Sequence, residues 1–185
     1  MAPNATLFHF EVELSDVDRG VYEVLDFRAA RHPSESSAYL VSRTLAYCLS
    51  YEEGIGFSKA GVSSTDEPPV VVRDPTGRLL AWIDVGSPAA ERLHKAAKAC
   101  GRVSVFTSSD LGLLRRAARS GLVHGAAGIA IWTFAAGFVE KLEPYFERHA
   151  AFGLVRSEGH LYFTSKGASI DGALASSSLL DAEAE

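Results

Sequence analysis

The chain has 185 residues and a mass of 19.8 kDa, enough for one domain or a domain with a small appendage. A hydrophobic fraction of 47% and a charged fraction of 22% exclude a disordered chain, a collagen-like fibre and a disulfide-stapled miniprotein. Eighteen Lys and Arg against 23 Asp and Glu leave a net charge of −5, so any nucleic-acid contact needs a local basic face.

The elements are expected in this order. Thr6 to Leu14 alternates apolar and polar, Asp16-Val17-Asp18-Arg19-Gly20 supplies turn chemistry, and Val21 to Ala29 returns as the second strand of a hairpin. Pro33-Ser34-Glu35 is expected to start a long amphipathic helix that runs to about Glu53, with Pro at its first position and Glu35 in its first turn. A second hairpin joins Val70-Val71-Val72 to Leu79–Val85 through Asp74-Pro75-Thr76-Gly77, which suits a type I turn. A helix follows from Pro88 to about Cys100, then a buried strand over Val103–Phe106. Ser109 and Asp110 cap a helix ending near Gly121. Gly128–Phe134 reads as a buried strand and Ala135–His149 as a helix. Phe152–Arg156 and Leu161–Thr164 form a closing hairpin around Ser157-Glu158-Gly159. Residues 1–167 are expected to form a single domain and 168–185 a C-terminal strand or tail with a frayed end. Hairpins followed by strands alternating with helices imply an α/β (α+β) arrangement: a mixed central sheet with helices on its faces.

Met1–Ala5 carries neither a basic stretch nor an apolar run. The longest stretch free of acidic, basic and histidine residues, Gly125–Val139, has fifteen residues where a bilayer needs roughly 20. Cys48 and Cys100 stand apart from each other, with no C-x-x-C. These features lead to the expectation of a soluble cytoplasmic protein with buried thiols and no membrane partner.

Phosphate-binding loops, dinucleotide fingerprints, nucleophile elbows and zinc-protease helices are all absent from the sequence. The six histidines show no ligand spacing, so each is read as a surface or packing residue. The informative segment is the second hairpin. A regular two-residue loop centred between Pro75 and Thr76 places Glu67 opposite Asp84. Like charges directly opposite each other destabilise a sheet, and a divalent cation is a natural compensation. Asp84 also interrupts an otherwise apolar strand, and a buried carboxylate is costly unless paired or metal-bound. In the alternative, Pro68 and Pro69 break the pairing, leaving Asp66 and Glu67 in solvent and Asp84 hydrogen-bonded at a strand end. The register favours Glu67 over Asp66 while the strand stays regular. Glu35 is either a third acidic ligand or a residue complementing the helix dipole. Lys95, on the helix after Gly86, is placed to stabilise charge beside metal-bound water, and Lys98 is an equal candidate by spacing. Arg115, Arg116 and Arg119, with Arg102 nearby in sequence, make a basic patch that either meets phosphates or is a solvated helix face. Trp82 and Trp132 read as core.

Four motifs in order resemble the YaeQ family of small bacterial proteins. They are Ala30-Arg31-His32-Pro33-Ser34-Glu35, Asp66-Glu67-Pro68, Trp82-Ile83-Asp84-Val85-Gly86 and Arg92-Leu93-His94-Lys95-Ala96. The similarity runs over nearly the whole length. It implies a restriction-endonuclease-like variant of the PD-(D/E)xK fold, with Glu35 as the helix acid and Glu67 (or Asp66) and Asp84 as the hairpin acids. The superfamily's lysine position, two residues after the second acid, is Gly86 here, and Lys95 is the candidate replacement from the next helix. Asp84 also stands where relatives carry Glu.

The resemblance and the residues together predict a Mg2+- or Mn2+-dependent nuclease. Glu35, Glu67, Asp84 and Lys95 are its catalytic candidates, and Glu67, Asp84 and Asp66 its metal ligands. Arg31, His32 and Lys98 are the expected substrate contacts. The alternative is a catalytically silent module of the same fold that binds nucleic acid or a protein partner.

Overall fold

The computed structural model describes residues 4–58 and 66–181, and the last four residues of the expected frayed end lie outside them. The chain forms a mixed α+β fold around one ten-stranded sheet. Its strands are β1 (Thr6–Asp16), β2 (Val21–Arg31), β3 (Ile55–Phe57), β4 (Val70–Arg73), β5 (Leu79–Val85), β6 (Val103–Thr107), β7 (Ala130–Phe134), β8 (His149–Ser157), β9 (His160–Ser165) and β10 (Ala168–Ser178). Four helices accompany them among the described residues: α1 (Ser37–Leu49), α2 (Ala90–Ala99), α3 (Gly112–Arg119) and α4 (Phe138–Leu142).

The sheet runs in the order β2-β1-β8-β9-β10-β7-β6-β5-β4-β3. The two edge strands approach each other, with the rings of Phe27 on β2 and Phe57 on β3 at 5.9 Å, so the sheet is nearly closed. β1 pairs with β8, β5 with β6 and β6 with β7 in parallel; the other neighbours are antiparallel. β10 joins the two halves: Ala168–Ala173 pairs with β9 and Leu174–Ser178 with β7. Gly172, near the switch between partners, lies against the Phe138 ring, where a Cβ would sit 2.7 Å from a ring carbon.

Helix α1 fills the concave side. Leu40 through Ala46 are all buried, so this helix is enclosed on nearly every face and does not present a single stripe. It packs with Phe10, Val12 and Leu25 of the first hairpin, Phe152 and Phe163 of the last, and Ile83 and Val85 of β5. A second core lies on the opposite face, where Leu93 and Ala96 of α2 and Leu114 and Ala118 of α3 cover Trp82, Val103, Val105 and Ile131. Alternation along β5 sends Ile83 to one core and Trp82 to the other. Trp82 is buried as expected, whereas Trp132 is only partly buried.

Three expectations are corrected. Helix α1 begins at Ser37, because the Ser36 side chain accepts from the Tyr39 amide as N-cap. Glu35 therefore precedes the helix instead of occupying its first turn. The helix expected over Ala135–His149 shrinks to α4 and a 3-10 turn over Glu143–Tyr145 containing Pro144, and His149 opens β8. Ala150, Phe152, Leu154 and Arg156 alternate into the interior there, which is a strand period. The second hairpin also changes register. Gly77 adopts φ 86° after the Asp74-Pro75-Thr76 turn, and a second irregularity falls between Val72 and Arg73. Val70 therefore pairs with Ile83, and the ladder starts only after Pro68-Pro69. Glu67 does not face Asp84 across it.

Candidate active site

Asp84 is the penultimate residue of β5, with a side chain only 4% exposed. An arginine compensates its charge, and Glu67 does not face it across the ladder. Oδ2 accepts from Arg92 Nε at 2.6 Å and from Trp82 Nε1 at 3.1 Å, and Oδ1 accepts the Val85 amide at 3.2 Å. Trp82 and Asp84 share a strand face, two residues apart, so the indole is placed to donate by the pleat itself. Arg92 lies in the first turn of α2 with its guanidinium 5.5 Å from the Trp82 ring centroid. Its Nη2 donates to the Glu67 carbonyl at 2.9 Å, tying the segment before β4 to the end of β5.

One turn further along α2, Lys95 is 57% exposed and pairs with the Asp66 carboxylate. The lysine hydrogen bond and charge hold the Asp66 carboxyl below its usual range. Asp66, Ala89, Glu91, Arg92 and Lys95 line a surface hollow of about 400 Å3. Lys98 is exposed in the last turn of the same helix.

Glu35 is enclosed differently. Its side chain is 1% exposed and meets Arg43 of α1 through Nε to Oε1 at 3.0 Å and Nη2 to Oε1 at 2.9 Å and Oε2 at 3.1 Å. Arg43 Nη2 also donates to the Ala30 carbonyl at 2.9 Å, and its guanidinium lies 5.0 Å from the Phe57 ring. Arg31 and His32 build the turn that presents Glu35. Arg31 Nε donates to the Glu35 carbonyl at 3.0 Å, the His32 amide donates to Glu35 Oε2 at 3.2 Å, and His32 Nδ1 and Ser34 Oγ lie 2.6 Å apart.

The charges of both buried pairs act on Tyr39. Burial first, and then the Asp84 charge, push its phenol up to about 12; Glu35 adds to the rise, and Arg43 and Arg92 oppose it. The charges of Asp84, Arg92, Glu35 and Arg43 thus all act on one phenol. Among the described residues, no three of Glu35, Asp66, Glu67 and Asp84 bring carboxylate oxygens within 4.8 Å of one another.

The sequence reading reached Asp84, Asp66 and Lys95 but missed Arg92, Arg43 and Tyr39 as members of the site. A period-3.6 pattern counts Tyr39 and the stem of Arg43 as helix packing. No local spacing announces that α2 returns Arg92 to the end of β5. Gly86 follows β5 with φ 84° and donates its amide to the Phe106 carbonyl at 2.9 Å, so the position two residues after Asp84 lies past the strand's end.

The expected basic patch divides. Arg115 is buried and donates to the Ser178, Leu179 and Asp181 carbonyls and to Ser177 Oγ, clamping the segment after β10. Arg102 pairs with Glu52 at 2.7 Å. Arg116 and Arg119 remain on the α3 surface. No helix among the described residues is long and apolar enough to cross a membrane.

Comparison with known proteins places these residues in a family. The family model described as YaeQ protein matches residues 1–173. A protein of Escherichia coli (strain K12) named "Uncharacterized protein YaeQ" is 32% identical over 107 residues, 58% of this chain and 59% of the relative. The chain is thus matched to less than two thirds of that relative's length. A Salmonella typhi protein of the same name is 25% identical over 165 residues, 89% of this chain and 91% of the relative. The crystal structure of YaeQ protein from Pseudomonas syringae superposes with a TM-score of 0.83 at 30% identity, covering 94% of this chain and 96% of that one. The YaeQ protein from Xanthomonas axonopodis pv. citri gives 0.82 at 26% identity, covering 92% and 97%. The chain belongs to the YaeQ family.

Proposed function

We propose that the protein hydrolyses phosphodiester bonds of nucleic acid at the Asp84 cluster, with Mg2+ or Mn2+ as cofactor. The observation that carries this reading is the pair Arg92 and Lys95, one turn apart on α2, lining one hollow and each bonded to a carboxylate. Such pairs allow an exchange of partners. An incoming phosphate would take the guanidinium and the ammonium, and Asp84 and Asp66 are the carboxylates that would then hold the cation. Asp84, Asp66 and Glu67 offer oxygen ligands only, the donor type a hard divalent ion takes. When bound, the ion would supply Lewis-acid polarisation of the phosphate and a more acidic water.

The chain's own residues do the rest. Trp82 Nε1 and the Val85 amide keep Asp84 oriented when Arg92 leaves it. Tyr39, with its phenol raised to about 12, stays protonated and is not the base. Lys98 extends the basic side of α2 toward the nucleic-acid backbone, and Arg31 and His32 set the Glu35 turn at its border. In this reading Glu35 acts through Arg43. The resemblance to PD-(D/E)xK nucleases supports the same chemistry, and the free, buried Cys48 and Cys100 agree with a reducing cytoplasm.

A second reading, a silent module of the same fold that binds nucleic acid or a protein partner, is favoured by Gly86. Its φ of 84° leaves no strand position for the superfamily's lysine. Labelled DNA and RNA oligonucleotides incubated with Mn2+ and either wild type or Asp84→Ala decide between the two. Cleavage by the wild type alone supports hydrolysis. Binding without cleavage, weakening steeply with salt, selects a nucleic-acid module, and neither binding nor cleavage leaves the protein-partner form. Equal cleavage by both proteins overturns the assignment of the site.

A further inference from the structure

A different group of side chains lies on the outer face of the first half-sheet. β1 and β8 run in parallel with His9 directly beside His149, and alternation puts Glu11 on the same face as His9. The inward neighbours Phe8, Phe10, Val12 and Ala150 are buried, which fixes the three polar residues outward. The two imidazoles stack with centroids 4.6 Å apart and planes inclined by 19°. His149 Nε2 lies 3.6 Å from Glu11 Oε1, and one ligand atom from each of His9, Glu11 and His149 lies within 4.8 Å of the others.

We propose that His9, Glu11 and His149 form a binding site for a zinc-class divalent transition ion, separate from the Asp84 cluster. Two imidazoles and a carboxylate are a recurrent three-residue ligand set for Zn2+ that leaves further coordination positions open. Bonds of about 2.0–2.2 Å in a tetrahedral arrangement put ligand atoms roughly 3.3–3.6 Å apart. The three residues reach that spacing by side-chain rotation, because the paired strands already hold their Cα atoms in register. His9 Nε2 lies 2.7 Å from Asp26 Oδ1 on β2. An ionised carboxylate only accepts, so in the neutral ring that nitrogen would carry the proton and leave the Nδ1 lone pair for an ion, the carboxylate–histidine arrangement that supports metal ligands. Beside the trio, the small residues Ala151 and Gly153 help to leave a hollow of about 550 Å3, which Glu11, Glu13 and Asp26 also line. Three carboxylates and Lys166, which pairs with Glu147, line it, and its space leaves the open positions reachable by water or a small anion. Sequence spacing does not reveal this site, since β1 and β8 meet across some 140 residues of chain.

Calorimetric titration of Zn2+ into the full chain, with any purification tag removed, tests the site. Wild type, His149→Ala, Glu11→Gln and Asp84→Ala are compared. His149 is 63% exposed, so its replacement leaves the metal-free fold and melting temperature unchanged. The expected result is a Zn2+ site present in wild type and retained in Asp84→Ala, with binding at it weakened about tenfold or more in His149→Ala and Glu11→Gln. Absence of binding in the wild type overturns the proposal. So does unchanged binding in His149→Ala, or loss of binding in Asp84→Ala instead.

Discussion

Replacing Glu35 by Gln separates a residue that holds a cation from one that holds an arginine. The amide keeps the side chain's shape but removes its charge. The Arg43 guanidinium, 4% exposed and bonded to both Glu35 oxygens, then loses its counter-ion while remaining buried. Breaking a buried pair from one side costs about 3–5 kcal/mol. Unfolding entropy of about 2.1 cal/mol/K per residue gives about 0.4 kcal/mol/K for 185 residues, so the melting temperature should fall by roughly 8–13 °C. Urea denaturation followed by circular dichroism measures the free energy, and a thermal scan the temperature. The double variant Glu35→Gln/Arg43→Met removes the stranded charge and should recover a large part of the loss. A single variant within about 1 kcal/mol of wild type would refute the argument, as would a double variant no more stable than the single. If Glu35 were instead a metal ligand, the single variant would lose Mn2+ affinity with little change in melting temperature.

Three other outcomes follow from the same structure. Asp84→Ala should abolish the heat of Mn2+ binding and lower stability by about 1–3 kcal/mol, because Arg92 and the Trp82 indole lose their shared acceptor; calorimetry and urea titration check the two effects. The Gly159 and Glu158 amides, then Arg156, hold the Asp18 carboxyl below its usual value of 3.8. Its contribution to stability is present above pH 3.8 and lost as pH falls through the lower folded value. Asp18→Asn should therefore flatten the acid limb of a stability–pH curve and speed exchange of those two amides. Gly54→Ala should cost more than about 1 kcal/mol by urea titration, because φ is 86° and the new Cβ would sit 1.9 Å from the Arg73 carbonyl oxygen.

Period-2 alternation made β1, β8 and β9 legible, and the apolar run of β5 made its one carboxylate stand out as a site candidate. The hairpin around Asp74 was legible as a turn but not as a register. The extra residue at Gly77 and the irregularity at Arg73 each shift the pairing, and neither has a composition signal strong enough to count. The stretch Ala135–His149 failed because a short apolar run suits helix and strand alike, and Gly137 and Pro144 decide the outcome locally. β10 is rich in Ser, Ala and Gly, poor strand formers by propensity, yet neighbours on both sides and the burial of Leu174 hold it in the sheet. Arg92, Arg43 and Tyr39 were out of reach for another reason. Their roles depend on where α2 and α1 dock, and that geometry is tertiary.

The placement of β10 has a consequence for how the protein is made. During synthesis the chain emerges N-terminus first, so β7 and β9 exist before the strand that lies between them. Until residues 168–178 leave the ribosome, the two half-sheets carry unpaired inner edges. These are the flanks of β9 and β7, open to pairing with a neighbouring nascent chain. β1, already complete, must also wait for β8 across a separation of some 140 residues. Assembly therefore finishes late, when one Ser- and Ala-rich strand enters the gap. A chain released before that segment would be left as an edge-exposed, aggregation-prone intermediate even though its entire candidate active site had been synthesised.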